Sequence, residues 1–285
     1  MHTAPHVHSG ATAPLSLAEP RRVAHVLSAL VALLMAGASA AGLLLPDVYD
    51  EDAWALAALR GVDLVTLVVA TPALVWGVMV AARGSSRAVL VWGAVLAYNV
   101  YNFAYYAFGT TFNPLFLLHI VLLALSTWGL VFLLVSLDPQ RLYGQSKLSA
   151  RVRVAAATVL SLIAGGLSAL WSMVIVNQTL TGQLPEDAAT PTQMHLVYAI
   201  DLGVFVPMLV VAAWLLWLGH PWGVVAGAVM ALASAAYVLN LLAAQAFQAA
   251  AQVPGVDAFS PFSAVLVCVC AAAGIALLHG AGRRR

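Results

Sequence analysis

Charge is what this chain lacks most. Only 8% of its 285 residues are Asp, Glu, Lys or Arg, against about 25% in an ordinary soluble domain. Hydrophobic residues make up 63%. No soluble core could hide that much apolar surface, so an integral membrane protein is expected. No segment is long or polar enough to form a second, soluble domain. The formal net charge of +1 excludes a basic surface for nucleic acid as the main theme, and no nucleic-acid partner is expected. Cysteine is nearly missing. Cys268 and Cys270 stand two apart on an apolar stretch and point to different helix faces, which argues against a disulfide, metal or redox pair.

Long apolar runs are what the chain has instead. Spanning a bilayer takes roughly 20 apolar residues per helix, and eight segments qualify: Val23–Leu45, Trp54–Ala82, Arg87–Phe108, Leu115–Leu137, Val154–Val176, Leu196–Leu218, Trp222–Phe247 and Pro261–His279. Pro, Gly, Ser and Asn clusters punctuate them. With eight spans, eleven of the twelve Lys and Arg residues fall on one side, leaving Arg60 alone on the other among Asp47, Asp50, Glu51, Asp52, Glu186, Asp187 and Asp257. The positive-inside rule then makes both termini cytoplasmic. Arg21-Arg22 followed by Ala38-Ser39-Ala40 has the outline of a cleavable secretory signal, but the apolar run continues through Leu45 and reads as the first span. The expected organisation is a disordered cytoplasmic tail over residues 1–20, a four-helix half over 21–140, a basic cytoplasmic linker over 141–153 and a second four-helix half over 154–285. A shift of 138 to 139 residues lays Pro46-Asp47 on Pro185-Glu186, Asp63-Leu64 on Asp201-Leu202 and Ala97-Tyr98 on Ala236-Tyr237. If the halves are repeats, four spans each make them parallel, related by an axis along the membrane normal.

The third segment carries the polar groups around which the candidate site is built. Tyr98, Asn102 and Tyr105 are spaced i, i+4, i+7 on one helix face, with Asn99 beside them. An amide or phenol in hydrocarbon must find a partner, so other helices have to complete a polar interior. Following the direction of each span puts Tyr98, Asn99 and Asn102, His119 on the fourth, and Tyr237 and Asn240 on the seventh in the outer half. Asp63 and Asp201 enter there early in the second and sixth spans. Asp63 is expected near the outer boundary, with Arg60 one turn away as a partner, and Asp201 more deeply submerged. These eight residues are the candidate ligand-binding set. Two His and two Asp are a chemically adequate metal set, but none has helical ligand spacing, so no metal site is expected and no cofactor can be named. His25, His220 and His279 end three segments on the other side and read as helix-end residues, not haem ligands. Trp54 on one side, and Trp92, Trp217 and Trp222 on the other, read as interfacial belt residues.

Tyr98-Asn99 through Phe112-Asn113-Pro114-Leu115-Phe116-Leu117, then Thr181-Gly182-Gln183-Leu184-Pro185, Asp201 and Pro221-Trp222-Gly223, together resemble a group of uncharacterised bacterial multi-pass membrane proteins. The resemblance covers nearly all of the chain after residue 20. It implies an all-α integral membrane fold in the bacterial inner membrane and no particular activity. The histidine-rich signature of the integral-membrane hydrolases related to ceramidases is missing, as is any P-loop. Three functions fit. One is a polar pocket in the outer half that binds or transports a small molecule or lipid headgroup. Another is an accessory subunit of a membrane complex, with a membrane-protein partner. The third is an intramembrane enzyme that uses Asp63 or Asp201 on a lipid or isoprenoid.

Overall fold

A computed structural model describes residues 18–143, 148–182 and 191–280. Residues 1–17 of the expected tail, residues 144–147 of the expected basic linker, the Pro185-Glu186-Asp187 stretch used in the repeat match, and Arg283 to Arg285 lie outside the described residues. Ala18 to Pro20 of the expected tail are helical. Nine helices form among those described: α1 (Ala18–Leu44), α2 (Ala53–Val65, continuing through a π-turn at Thr66–Ala70 into Thr71–Ala82), α3 (Ser86–Gly109), α4 (Phe116–Val135), the short α5 (Pro139–Tyr143), α6 (Ala150–Thr181), α7 (Pro191–Ile200, a π-turn at Asp201–Phe205, then Val206–Trp217), α8 (Pro221–Ala250) and α9 (Pro261–Gly280). Eight of them, all but α5, are long and apolar enough to cross a membrane. This is a multi-pass all-α membrane protein, and its flanks contact the bilayer.

Several helices, α6 above all, overrun the apolar segments read from the sequence because caps, not hydropathy, end them. α6 begins at Ala150 because the Ser149 hydroxyl accepts from the Val152 N–H, and it runs to Thr181, where Gly182 turns left-handed at φ 71°. α2 starts where Asp52 accepts from the Ala55 N–H at 2.8 Å. Pro191, Pro221 and Pro261 open three more helices, a position at which the missing N–H costs nothing.

Packing sorts the helices by depth. Of the most apolar stretch of α3, 67% is buried, and of α8, 61%; the other six spans have 11–33% buried. The helix richest in Tyr and Asn is therefore central. α1 to α4 close a ring in which α1 packs on α2 and α4, and α3 on α2 and α4. α6 to α9 close a second ring with the corresponding neighbours, and the two rings meet where α8 packs against α2 and α3. Gly61 makes that approach tight: a Cβ there would lie 2.6 Å from the backbone of Ala243. One end of the bundle carries Asp47, Asp50, Glu51 and Asp52. There Thr111 of the α3–α4 loop binds Glu51 and the Asp50 carbonyl. The opposite end carries Arg21, Arg83, Arg141 and Arg153. We refer to these as the acidic and basic ends. Trp92 is not a belt residue. It is 0% exposed and its indole donates to Ser28 of α1 at 2.7 Å, because α3 has no lipid-facing side.

Both π-turns have the same cause. Pro72 and Pro207 have no N–H to return to the carbonyl four residues back, and the ladder bypasses the break. The N–H of Thr71 reaches Thr66 and that of Val206 reaches Asp201, five residues back in each case. The Thr71 hydroxyl adds a second donor to the Thr66 carbonyl at 2.8 Å.

Candidate functional site

The candidate polar residues in the spans lie toward the acidic end, in three groups. In the first, Asp63 of α2 is 3% exposed. Its Oδ2 accepts from the Tyr49 phenol and its Oδ1 from the Tyr106 phenol, both at 2.9 Å, and Ser39 of α1 lies alongside. Tyr106 also reaches the Leu59 carbonyl at 3.2 Å. Gly42 makes the carboxylate's seat, since a Cβ on it would collide with Asp63 Oδ2 and the Tyr49 hydroxyl. Tyr49 comes from the α1–α2 loop. Burial, and then the neighbouring Asp63, push its phenol well above the ordinary value, so it stays a donor. The His119 ring, 1% exposed, packs against Tyr106 at 4.7 Å and stacks at longer range on Phe103 and Tyr49.

The second group runs along the junction of the rings. Tyr98 donates to Asn240 Oδ1 at 3.1 Å, so the Thr66 hydroxyl, 2.7 Å from the phenol, is a donor to Tyr98. The Asn240 amide in turn donates to Asn102 Oδ1 at 3.3 Å. Four side chains from α2, α3 and α8 thus form one directed chain. Thr66 takes part from the first position of the α2 π-turn.

The third group holds Asp201, the first residue of the α7 π-turn and 0% exposed. Tyr101 donates to its Oδ1 and the Trp171 indole to its Oδ2, each at 2.7 Å. The Tyr237 ring meets Tyr101 edge-on at 4.8 Å, and Phe205 closes against both.

The candidate set is therefore brought to one end of the bundle but divided. Tyr98, Asn102 and Asn240 are bonded together. Asp63 with His119, and Asp201 with Tyr237, flank them. Asn99 turns the other way, its amide on Met35 Sδ of α1 at 3.2 Å. The two acids hold separate donors. Arg60 is not the partner of Asp63: among the described residues neither aspartate has a cation within 4.0 Å, and Arg60 Nε has no hydrogen-bond partner. No group of three or more His, Cys, Asp or Glu that could hold a metal occurs among the described residues. An open groove of about 780 Å³ lies between α6 and α7, lined by Gln178, Thr179, His195, Tyr198 and Leu202 among others; none of the eight candidate residues lines it.

Residues outside the candidate set complete the sites: Tyr49, Tyr106 and Gly42 at Asp63, Tyr101 and Trp171 at Asp201, and Thr66 in the Tyr98 chain. Tyr106 and Tyr101 stood in the same tyrosine run, off the i, i+4, i+7 face. The signal that would have found them is that a central helix is polar on several faces. Tyr49 and Trp171 had no sequence signal beyond residue type.

No family model, curated protein or solved structure matches the chain.

Proposed function

We propose that this protein of the bacterial inner membrane binds or transports a small molecule or lipid headgroup at its acidic end, which faces the periplasm, while both termini are cytoplasmic. Asp63 and Asp201 are the groups that exchange a proton or small cation with the cargo. One observation carries this reading: each four-helix ring buries one carboxyl, without a cationic partner, on a helix broken by a proline-driven π-turn. Carboxyls kept inside spanning segments are costly and mark ion and substrate pathways. π-turns concentrate at functional sites. The recurrence of acid, π-turn and proline in α2 and α7 supports a parallel repeat, with the Tyr98–Asn240–Asn102 chain at its axis.

The test is thermal unfolding of detergent-purified protein against phosphoethanolamine, phosphocholine, glycerol phosphate and a panel of small polar metabolites. The expected result is at least one compound that stabilises the wild type but neither Asp63→Asn nor Asp201→Asn, both variants remaining folded. A panel without any stabiliser, or one that stabilises both variants equally, removes the reading.

A second reading has its own support. Every oxygen of these two carboxylates already has a protein donor, and α6 leaves Leu162, Leu170, Met173, Val176 and Leu180 exposed, its apolar stretch being the least buried of the eight spans. An accessory subunit docked through α6 would look like this. Extraction in mild detergent should then recover a stoichiometric membrane-protein partner, lost when Leu170 and Met173 are both changed to Ser.

A further inference from the structure

Three side chains on the facing sides of α3 and α4 each keep one polar atom buried without a partner: Asn99 Oδ1, Ser126 Oγ and His119 Nδ1. The residues are 0%, 0% and 1% exposed. Buried polar atoms nearly always have a partner, and hydrocarbon supplies none.

Their positions coincide. α3 and α4 run antiparallel, with Phe103 and Tyr106 against His119 and Leu96 against Gly129. Three residues up α3 from Leu96 is Asn99, and three back along α4 from Gly129 is Ser126, so these two lie level. α1 faces α3 across the ring: Ser28 bonds Trp92, and seven residues on Met35 bonds Asn99. Met35 therefore joins Asn99 and Ser126 at the same level. His119 stands two turns away on the same face of α4 as Ser126, about 10 Å toward the acidic end. On the other side of Ser126 the interface is filled: a Cβ on Gly129 would sit in ordinary van der Waals contact with Leu96 and Leu27, at 3.6 and 3.7 Å.

We propose that this interface is an internal water site, which continues the Asp63 centre inward from His119 to Asn99 and Ser126. An acceptor on Asn99 and a hydroxyl on Ser126 that can donate and accept supply two partners for one water, and the His119 ring nitrogen, about 10 Å away, holds a second at the other end of the site. The inlet ends at the Leu96–Gly129–Leu27 level, so it hydrates Asp63 from within the first ring without crossing the bundle. Around Asp201, Tyr101, Tyr237, Phe205 and Trp171 supply aromatic rings, and the Tyr198 hydroxyl, also buried without a partner, lies beside Trp171 on the open α6–α7 groove. Asp63, through Tyr106 and His119, is then in contact with this water and can load and unload a proton. This assignment of hydration does not depend on the cargo-binding reading, and its test uses no cargo.

The probe is water itself. Wild-type protein in phosphatidylcholine nanodiscs is given hydroxyl-radical footprinting by X-ray radiolysis in ¹⁸O-enriched water, with methionine oxidation read by mass spectrometry. Met35 is 0% exposed and Met230 of α8 is 3% exposed, so bulk water should label both equally poorly. The expected result is ¹⁸O incorporation at Met35 several-fold faster than at Met230. Ser126→Val, which removes the hydroxyl and fills its space, should bring Met35 down to the Met230 rate, while Met230 stays unchanged as the internal control for folding. Equal rates at Met35 and Met230 in the wild type would overturn the proposal in favour of a dry Asn99–Ser126 contact. So would a Met35 rate untouched in both Ser126→Val and the milder Ser126→Ala.

Discussion

The Asp63 carboxylate depends on an absence. Gly42 leaves the space in which Oδ2 meets the Tyr49 hydroxyl, and overfilling a packed site costs about 1–3 kcal/mol. Gly42→Ala is therefore expected to lower the thermal midpoint measurably in a detergent melt and to expel the carboxylate from between its two phenols. Gly37 is the matched control: it lies on the same helix, and a methyl added there would meet nothing within 4 Å, so Ala should be neutral or better by roughly 0.5–1 kcal/mol. Equal midpoints for the two variants would mean that the carboxylate seat is not rigid. At this scale the residue types were legible and their partners were not. Spacing on one helix placed Tyr98 and Asn102 on a shared face, and they do share Asn240. Tyr106 and Tyr101, off that face, hold the acids. A periodicity argument assumes one polar face, and α3 is enclosed on all sides.

At the scale of elements, the count and approximate limits of the spanning helices could be read from hydropathy because lipid demands long apolar runs. The internal breaks could not, since a proline inside an apolar run is compatible with a kink, a π-turn or an end. Each π-turn replaces four-residue hydrogen bonds by a five-residue one at Thr71 and Val206. Such bonds should open before those of the flanking turns. Hydrogen exchange in nanodiscs is expected to be faster over residues 66–71 and 201–206 than elsewhere in α2 and α7. Pro72→Ala, which restores an N–H, should slow the first segment alone. Uniform slow exchange along both helices would identify the π-turns as static fittings. Because a π-turn rotates everything beyond it by one extra residue, it also decides which way Thr66 and Asp201 face. Sequence placed both acids early in their spans, on the outer side, but not which way they face, and they end in separate sites.

The whole molecule is two closed rings joined along α8 with α2 and α3. Since each ring completes its own helix contacts, the junction should be separable from them. Its polar content is the Thr66–Tyr98–Asn240–Asn102 chain, and its closest backbone approach is Gly61 against Ala243. Splitting the chain between residues 143 and 148 and expressing the two parts together should therefore give halves that insert and co-purify. Asn240→Leu leaves Tyr98 and Asn102 facing an apolar group across the junction, at a cost of about 1–3 kcal/mol for the stranded donor, and should weaken recovery of the partner half by roughly ten-fold, 1.4 kcal/mol being one decade. Gly61→Leu, which forces the backbones apart, should abolish recovery while leaving each half in the membrane. If instead the halves fail to insert separately, the rings are not independent units, and the correspondence of Asp63 with Asp201 reflects composition alone. If they insert and associate even with Leu at position 61, apolar packing elsewhere along α8 holds the junction, and the polar chain there is free to serve a ligand.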